Sequence, residues 1–346
     1  MGSDSLGRDA CLVRRGVVGN TAATMAKTAK TARTIEQQVS ELRNLDAAAP
    51  GALDKLRTAL RGTSGLLIAA AAKRVEDDRL EALVPELAPA FERLRDDAVK
   101  RDPGCRGKLA IARALHALDH WEDRVFVAGL RHEQREGWSQ EDTGAELRGV
   151  CGLAHAHFAR ADALDVLAAL LADRERATRL AAAQALGDAG RPDATALLRF
   201  KLLLGDEEPA VLSACCEALF ALARDAAYDF VVTLLAAHDE RAEVAALALG
   251  GARFAAAFEP ITAWCVGASL EQRHRIGYLA LALLRAEPAT DYLLDAIRTH
   301  GRRDAVAAAR ALATFKDDAA LVERIRAATR EQRDPAARDE IAELLA

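Results

Sequence analysis

Histidine is the side chain in this sequence with the widest choice of chemistry, and five of the eight histidines fall in one stretch. They are His116, His120, His132, His155 and His157. An imidazole can bind a metal ion or exchange a proton near neutral pH. His116 and His120 are four residues apart, which places both on one face of a helix. The region 116–157 could therefore hold a metal or catalytic site. It contains no HExxH motif and no carboxylate that completes a ligand set, so histidines hydrogen-bonded for structural reasons are the favoured alternative.

The stretch RHEQREGWSQEDTG, residues 131–144, carries a second group of side chains suited to recognition. Its candidate partner-binding residues are Arg131, His132, Arg135, Trp138 and Asp142. Tryptophan and arginine are typical anchors of protein interfaces. The alternative is that the loop packs back on the protein and that Trp138 covers an apolar seam. Thr143 and Glu146 are spaced as a capping box, which predicts a helix after the loop.

Neither the cysteines nor any known motif indicates a catalytic centre. The six cysteines form no CxxC pair and show no regular spacing, so they predict neither a disulfide framework nor a zinc site. Cys215 and Cys216 occupy positions where a small, buried residue packs between helices. The sequence contains no GxxxxGK[ST], GxGxxG or GxSxG motif. We therefore assign no catalytic, metal-binding or cofactor-binding residue.

The composition predicts an all-α protein. Hydrophobic residues make up 51% of the chain, which excludes a wholly disordered protein. Aromatic residues make up only 4%, and much of the apolar content is alanine and leucine. Both are strong helix formers, whereas strands favour β-branched and aromatic residues.

The charge balance narrows the class of partner. The net charge is −5, with 29% charged residues of both signs, so the basic footprint typical of nucleic-acid binders is missing overall. No apolar run approaches the roughly 18 residues of a membrane span. Reduced cysteines fit a cytoplasmic location. These features predict a cytoplasmic protein whose partner is another protein, with nucleic acid unlikely and no membrane contact.

Residues 1–34 differ from the rest of the chain. They carry six basic residues against two acidic ones and no apolar periodicity, and the segment TAATMAKTAKTART is rich in threonine. Such a composition predicts a disordered basic tail. A membrane- or nucleic-acid-binding arm is the alternative. Met25 could also be the true start, which would make residues 1–24 an annotation artefact.

An internal repeat organises the remainder. Equivalent leucine positions recur as Leu186, Leu219, Leu249, Leu281 and Leu312, preceded by Val75, Leu115 and His155. Twelve residues after most of them lies a second apolar residue: Leu87, Val127, Leu167, Leu198, Val231, Ile261 or Leu293. From residue 155 onward the steps of about 30–33 residues fit two short helices and two turns. The two earlier steps are longer; Asp102-Pro103-Gly104 suggests a plain turn in the first, and residues 131–144 form the insertion in the second.

The runs AAAQALGDAG at 181–190, EPAVLSACCEALFALA at 208–223 and VAALALGG at 244–251 resemble HEAT repeats. The resemblance is specifically to the short bacterial type that is also found in phycobilisome-lyase-like proteins, and it extends over roughly residues 64–330. It implies a right-handed superhelical α-solenoid of about eight helix pairs, in which the second helices line the concave surface. Such repeats serve mostly as scaffolds and adaptors, and a few are enzymes.

We therefore expect residues 35–346 to form a single HEAT-like solenoid with an inserted loop at 131–144. The expected function is that of a non-catalytic scaffold or adaptor, which binds a partner protein on its concave face and on the loop. The alternative is a HEAT-like enzyme or nucleic-acid binder, similar to repair glycosylases or to lyases, that uses the histidine-rich region 116–157.

Overall fold

The computed structural model describes residues 35–237 and 239–346, so the predicted basic tail at 1–34 lies outside the described residues. The chain divides into two compact units. The N-terminal unit ends at Cys151, and the C-terminal unit comprises Gly152–Ala346. Both units consist of helices that alternate between two layers, which makes the fold an all-α solenoid, as the composition and the repeat predict.

The N-terminal unit contains short helices and one two-stranded sheet. Helix α1 covers residues 35–43. It is followed by α2 (Ala52–Arg61), α3 (Gly65–Asp77), α4 (Val84–Arg95), α5 (Ala98–Arg101), α6 (Arg106–Ala117), α7 (Asp123–Gly129), β1 (Arg135–Glu136), β2 (Glu141–Asp142) and α8 (Ala145–His157). Helix α8 crosses the boundary into the C-terminal unit. Helices α3 and α6 pack side by side as first helices, while α2, α4 and α7 form the neighbouring layer of second helices.

The C-terminal unit continues the alternation of first and second helices. Its elements are α9 (Ala163–Leu171), α10 (Arg176–Asp188), α11 (Ala194–Leu204), α12 (Pro209–Leu234), α13 (Glu240–Gly251), α14 (Phe258–Gly267), α15 (Leu270–Gln272), α16 (Tyr278–Leu284), α17 (Glu287–Thr299), α18 (Arg302–Leu312), α19 (Ala319–Glu331) and α20 (Pro335–Leu344). Ala223 leaves the helical conformation, so α12 is in effect a first helix followed by a second helix. A π-helical turn, Arg273–Gly277, joins α15 to α16.

The repeat positions predicted from sequence form the core. All eight residues of the leucine position, including His155, are no more than 2% exposed. Six of the seven second-helix residues are fully buried. Val127 is the exception: it is 44% exposed, and Val125 and Phe126 are buried in its place. The fixed step of twelve residues fails there because α7 is only seven residues long and begins late, after Glu122.

Two glycines near the end of α10 have different roles. Gly187 lies inside the helix, which continues to Asp188. A Cβ atom at Gly187 would lie 3.0 Å from the Cβ of Ala218, so this glycine lets α10 and α12 approach closely. Gly190, with φ of 64°, supplies the left-handed conformation beyond the helix end. No helix among the described residues is long and apolar enough to cross a membrane.

Candidate functional site

The predicted insertion at 131–144 is a small β-hairpin in the N-terminal unit. Strands β1 and β2 pair antiparallel, with Arg135 opposite Asp142 and Glu136 opposite Glu141. Residues 137–140 form the turn, and both Gly137 and Gln140 have positive φ. A pleated pair this short has almost no apolar surface of its own to bury. Its position therefore depends on polar contacts at its base.

Asp142 supplies the first of these contacts. Its carboxylate accepts hydrogen bonds from the backbone N–H groups of Gln134 and Gly144, each at 2.9 Å, and pairs with Arg148 of α8 at 2.8 Å. Burial alone would raise the pKa of Asp142, but these hydrogen bonds and the charge of Arg148 outweigh it and bring the pKa below its usual value. Asp142 is 6% exposed, so its carboxylate holds the hairpin and is shielded from solvent.

The predicted capping box does not form. Helix α8 begins at Ala145. The Thr143 hydroxyl donates to the carbonyl of Gln134 and to the carboxylate of Glu136, while Glu146 points outward and pairs with Arg113. The spacing of Thr143 and Glu146 fits a capping box, but the Thr143 hydroxyl is bonded to the hairpin and does not cap α8.

The hairpin is attached to the loop between α5 and α6 by a second set of contacts. The Gln134 side chain donates to the carbonyl of Asp102 at 2.8 Å, and the Glu136 carboxylate accepts the Gly104 N–H at 2.8 Å. The Asp102 carbonyl and the Gly104 N–H both belong to the segment 102–104, which the sequence predicted to be a plain turn. That interpretation is wrong, because the segment carries a buried ion pair.

The ion pair joins Asp102 and Lys108, and both side chains are fully buried. Lys108 Nζ lies 2.8 Å from Asp102 Oδ2, and the backbone N–H groups of Gly107 and Lys108 also donate to this carboxylate. A Cβ atom at Gly65 would lie 2.3 Å from Asp102 Oδ1, so a glycine is required where α3 passes. A buried carboxylate that keeps three such contacts is well compensated for its loss of water.

The remaining predicted residues of the hairpin differ in exposure. Arg131 and Arg135 are exposed, and the Trp138 side chain is 101% exposed at the turn. The alternative in which Trp138 covers an apolar seam is therefore wrong. His132 is half-buried, and its Nε2 lies 3.2 Å from the side-chain oxygen of Gln134. Burial lowers the pKa of His132, against the opposing effect of the Gln134 hydrogen bond.

The histidines of the 116–157 region are divided between the two units. His116, His120 and His132 belong to the N-terminal unit, and His155 and His157 to the C-terminal unit. Among the described residues, no three or more histidine, cysteine, aspartate or glutamate side chains are grouped so that they could hold a metal ion. The His157 ring contacts Phe158 edge-on, and His155 is buried at its repeat position.

The described cysteines are buried core residues. Cys215 and Cys216 are both inaccessible to solvent, as predicted from their small-residue positions. Burial raises the pKa of the Cys105, Cys215 and Cys265 thiols to about 12. Reactive cysteines need an accessible thiolate, which burial of this kind opposes.

Three bases that are buried at the start of first helices each follow an acid by six residues, and two of these acids are their ion-pair partners. Asp102 precedes Lys108 by six residues, Asp142 precedes Arg148 by six, and Asp173 precedes Arg179 by six. The first two are buried ion pairs, while Arg179 donates to the carbonyl of Asp173 and forms a bidentate ion pair with Asp206. In the sequence, an acid that lies six residues before a base at the start of a first helix could have indicated these buried bases.

A cluster in the C-terminal unit was also missed. Tyr278 donates to Asp304 at 2.8 Å, and His274 Nε2 lies 3.0 Å from the same carboxylate oxygen. Burial first, and then the Asp304 hydrogen bond, raise the pKa of Tyr278, so the phenol stays protonated as a donor. His274 lies in the π-helical turn, which sequence periodicity does not reveal. The cluster ties α16 to α18.

The second helices of the C-terminal unit expose unusual apolar side chains. Phe200, Leu203 and Leu204 of α11 are 65%, 57% and 68% exposed, and Val266 of α14 is 76% exposed. We call the outward surface of α9, α11, the second half of α12, α14, α17 and α19 the second-helix face. Large exposed apolar groups on a repeat surface mark places where other molecules bind.

Comparison with known proteins agrees with this architecture. Residues 164–250, from α9 to α13, match the model of the HEAT-repeat family. A search of curated proteins gives no match. The resemblance to phycobilisome-lyase-like proteins stays a prediction. At the level of sequence and of helix arrangement, this part of the chain is similar to HEAT repeats.

Proposed function

We propose that the protein is a non-catalytic interaction scaffold that binds another protein through the hairpin at 131–144 and through the second-helix face. HEAT-type repeats commonly present extended binding surfaces, and their insertions often emerge on the binding side. A cytoplasmic setting remains part of the proposal.

One observation carries the hairpin part of this proposal: a fully exposed Trp138 stands on a base held by buried hydrogen bonds. An indole exposed to water has an unfavourable hydration that contact with a partner would remove. Because the base is already ordered, binding would cost less conformational entropy than ordering a free loop. Tryptophan with nearby arginine is the composition of an interface centre.

The roles of the predicted residues divide accordingly. Trp138 would enter an apolar pocket of the partner, and Arg131 and Arg135 would supply charged contacts beside it. Asp142 and His132 act by positioning the hairpin, since their side chains engage Arg148 and Gln134.

The test is affinity capture from a lysate of the source organism with wild-type and Trp138→Ala protein, quantified by mass spectrometry. Trp138→Ala is sharper than replacement of the whole loop, because loop replacement would also leave Arg148 without its carboxylate. We expect one or a few proteins to be captured by the wild type and depleted at least about fivefold in the variant, which corresponds to more than about 1 kcal/mol.

Val99→Ala provides the matched control, since Val99 is 47% exposed on α5 and lies outside the hairpin. It should capture the same proteins as the wild type. If Trp138→Ala and Val99→Ala capture identical sets with equal yields, the hairpin has no role in binding and this part of the proposal fails.

A further inference from the structure

The second-helix face of the C-terminal unit has a repeated charge pattern that accompanies its apolar residues. In five of its second helices a fully buried residue is preceded, two positions earlier, by an exposed acid. The buried residues are Leu167, Val231, Ile261, Leu293 and Ile325, and the acids are Asp165, Asp229, Glu259, Asp291 and Glu323. We call these five acids the acidic row. Helix α11 has Ala196 at the equivalent position.

Helical geometry places the acidic row and the apolar residues on the same surface. At 3.6 residues per turn, positions −2, +2, +5 and +6 relative to the buried residue all point away from it. Phe200, Leu203 and Leu204 stand at +2, +5 and +6 from Leu198, and Val266 stands at +5 from Ile261. Within one helix, the acid at position −2 and the residue at position +5 are seven residues apart, or about 10 Å along the helix axis.

On α9, the second half of α12 and α14, the acids of this surface are not neutralised by described basic residues. Asp165, Asp229 and Glu259 make no ion pair with a described residue, whereas Asp291 pairs with Arg324 and Glu323 with Arg326. At the four outward positions just defined, α9, α11, the second half of α12 and α14 carry no lysine or arginine. On α9, α11, the second half of α12 and α14, the surface therefore combines exposed acids at position −2 with the exposed apolar side chains of α11 and α14, whereas α17 and α19 carry Arg298 and Arg330 at position +5.

We infer that the second-helix face binds a cationic amphipathic helix of a partner protein. This inference rests on the proposed scaffold function and specifies the chemistry of the partner. Basic side chains would meet the acidic row, and apolar side chains would cover Phe200, Leu203, Leu204 and Val266. Nucleic acid would be repelled, because its phosphates have the same sign as the acidic row.

The spacing of the row predicts the spacing of the partner's charges. Packed helices lie roughly 8–10 Å apart, and seven residues of a helix rise about 10.5 Å and return to the same face. A partner helix that lies across the second helices would therefore need a lysine or arginine about every seventh residue. Opposite α11, where Ala196 interrupts the row and Phe200 is exposed, an apolar residue would replace the base.

The experiment uses the full chain and three labelled synthetic helices, with binding measured by fluorescence anisotropy. The first is a 28-residue amphipathic peptide with lysine every seven residues and leucine on the adjacent stripe. The second has the same composition with the lysines placed at random. The third replaces each lysine with glutamate. We expect the first peptide to bind at least about tenfold more tightly than either control, with an affinity that falls as salt is raised.

Variants of the face supply the second arm. We expect the Kd for the first peptide to be about 1.4- to 5-fold higher, as for the loss of an exposed ion pair, in each of three variants: Asp165→Asn, Asp229→Asn and Glu259→Gln. Phe200→Ser should raise this Kd at least about fivefold. Glu217→Gln alters an exposed acid on the first-helix part of α12 and should change nothing. All variants concern exposed side chains, so circular dichroism should remain that of the wild type.

Equal binding of all three peptides, or binding that is insensitive to the acidic-row variants, would overturn this inference. The scaffold proposal would survive that result if Trp138→Ala or Phe200→Ser still depleted a native partner in the capture experiment. If the peptides show no specific binding and neither variant depletes a native partner, both the scaffold proposal and this inference are wrong.

Discussion

The two units differ in the contacts that hold their helices together. In the C-terminal unit, first helices pack through regularly spaced alanines and leucines, and the buried Arg179 and Lys201 both pair with the buried carboxylate of Asp206. In the N-terminal unit, the interrupted repeat around residues 94–148 is joined by buried charges and side-chain amides, centred on Asp102, Lys108, Gln134 and Asp142. The C-terminal unit thus holds buried charges within a regular apolar core, whereas the hairpin at 131–144 has little apolar surface and depends on directional hydrogen bonds for its position.

The difference extends to the outer surfaces. The regular unit repeats a surface feature, the acidic row, because each helix pair presents equivalent positions to solvent. Among the described residues, the most exposed large hydrophobic side chain of the irregular unit is Trp138, at the turn of the hairpin. Binding energy would thus be distributed along one unit and concentrated at one residue in the other.

The strongest test of the comparison is Lys108→Met in the N-terminal unit. Methionine has a similar volume but leaves the buried Asp102 carboxylate without its cation, which typically costs about 3–5 kcal/mol. Urea unfolding should show this loss, and amide hydrogen exchange should accelerate around residues 94–108. Lys73→Met is the matched control: Lys73 pairs with Asp77 on the surface of α3, and its loss should cost no more than about 1 kcal/mol. A loss below about 1 kcal/mol for Lys108→Met would show that the pair does not hold this unit together.

A cavity in the C-terminal unit should have a large but local effect. Leu219→Ala removes a fully buried side chain at the repeat position of α12 and should cost about 2–5 kcal/mol. Because each repeat contacts its neighbours, faster hydrogen exchange should concentrate in α10, α12 and α13. Leu203→Ala, which truncates a leucine that is 57% exposed, should leave stability nearly unchanged. Equal destabilisation by both variants would contradict the assignment of Leu219 to the core.

The smallest expected effect is a pH dependence confined to the hairpin. Burial lowers the pKa of His132 below the ordinary value of about 6.5, so the unfolded chain binds more protons when the pH falls. The contribution of neutral His132 is therefore complete above about pH 6.5 and is lost as the pH falls through the lowered folded-state pKa. Lys108 and Arg95 face His132 and oppose its protonation, while Gln134 and Asp142 favour it.

His132→Asn should accordingly lose less stability than the wild type between pH 7.5 and pH 5.5 in urea unfolding. Ser139→Asn, at an exposed residue of the hairpin turn that does not titrate, serves as the control and should follow the wild type. If His132→Asn and wild-type protein show the same pH dependence, proton binding at His132 does not contribute to the stability of the hairpin base.

The repeat was predictable to the level of single residues because its cause is local. Periodic leucines and small residues determine which side of each helix is buried, and all eight residues of the leucine position are in the core. Val127 was assigned wrongly because the step between helices was assumed constant, and a short helix after a long connection shifts the register. In the candidate site, the insertion and its tryptophan were identified from sequence, but the exposure of Trp138, the hairpin form and the inward direction of Asp142 were not.

The sequence by itself determined the helical class, the repeat positions and the location of the insertion, since these follow from composition and from periodicity along the chain. Only the tertiary structure decided which polar residues of the insertion are buried and which face solvent. Asp102 and Gln134 are 32 residues apart in the chain, yet one accepts a hydrogen bond from the other. Local pattern carries no information on such a pair, because its hydrogen bond forms only when α5, α6 and the hairpin have packed together.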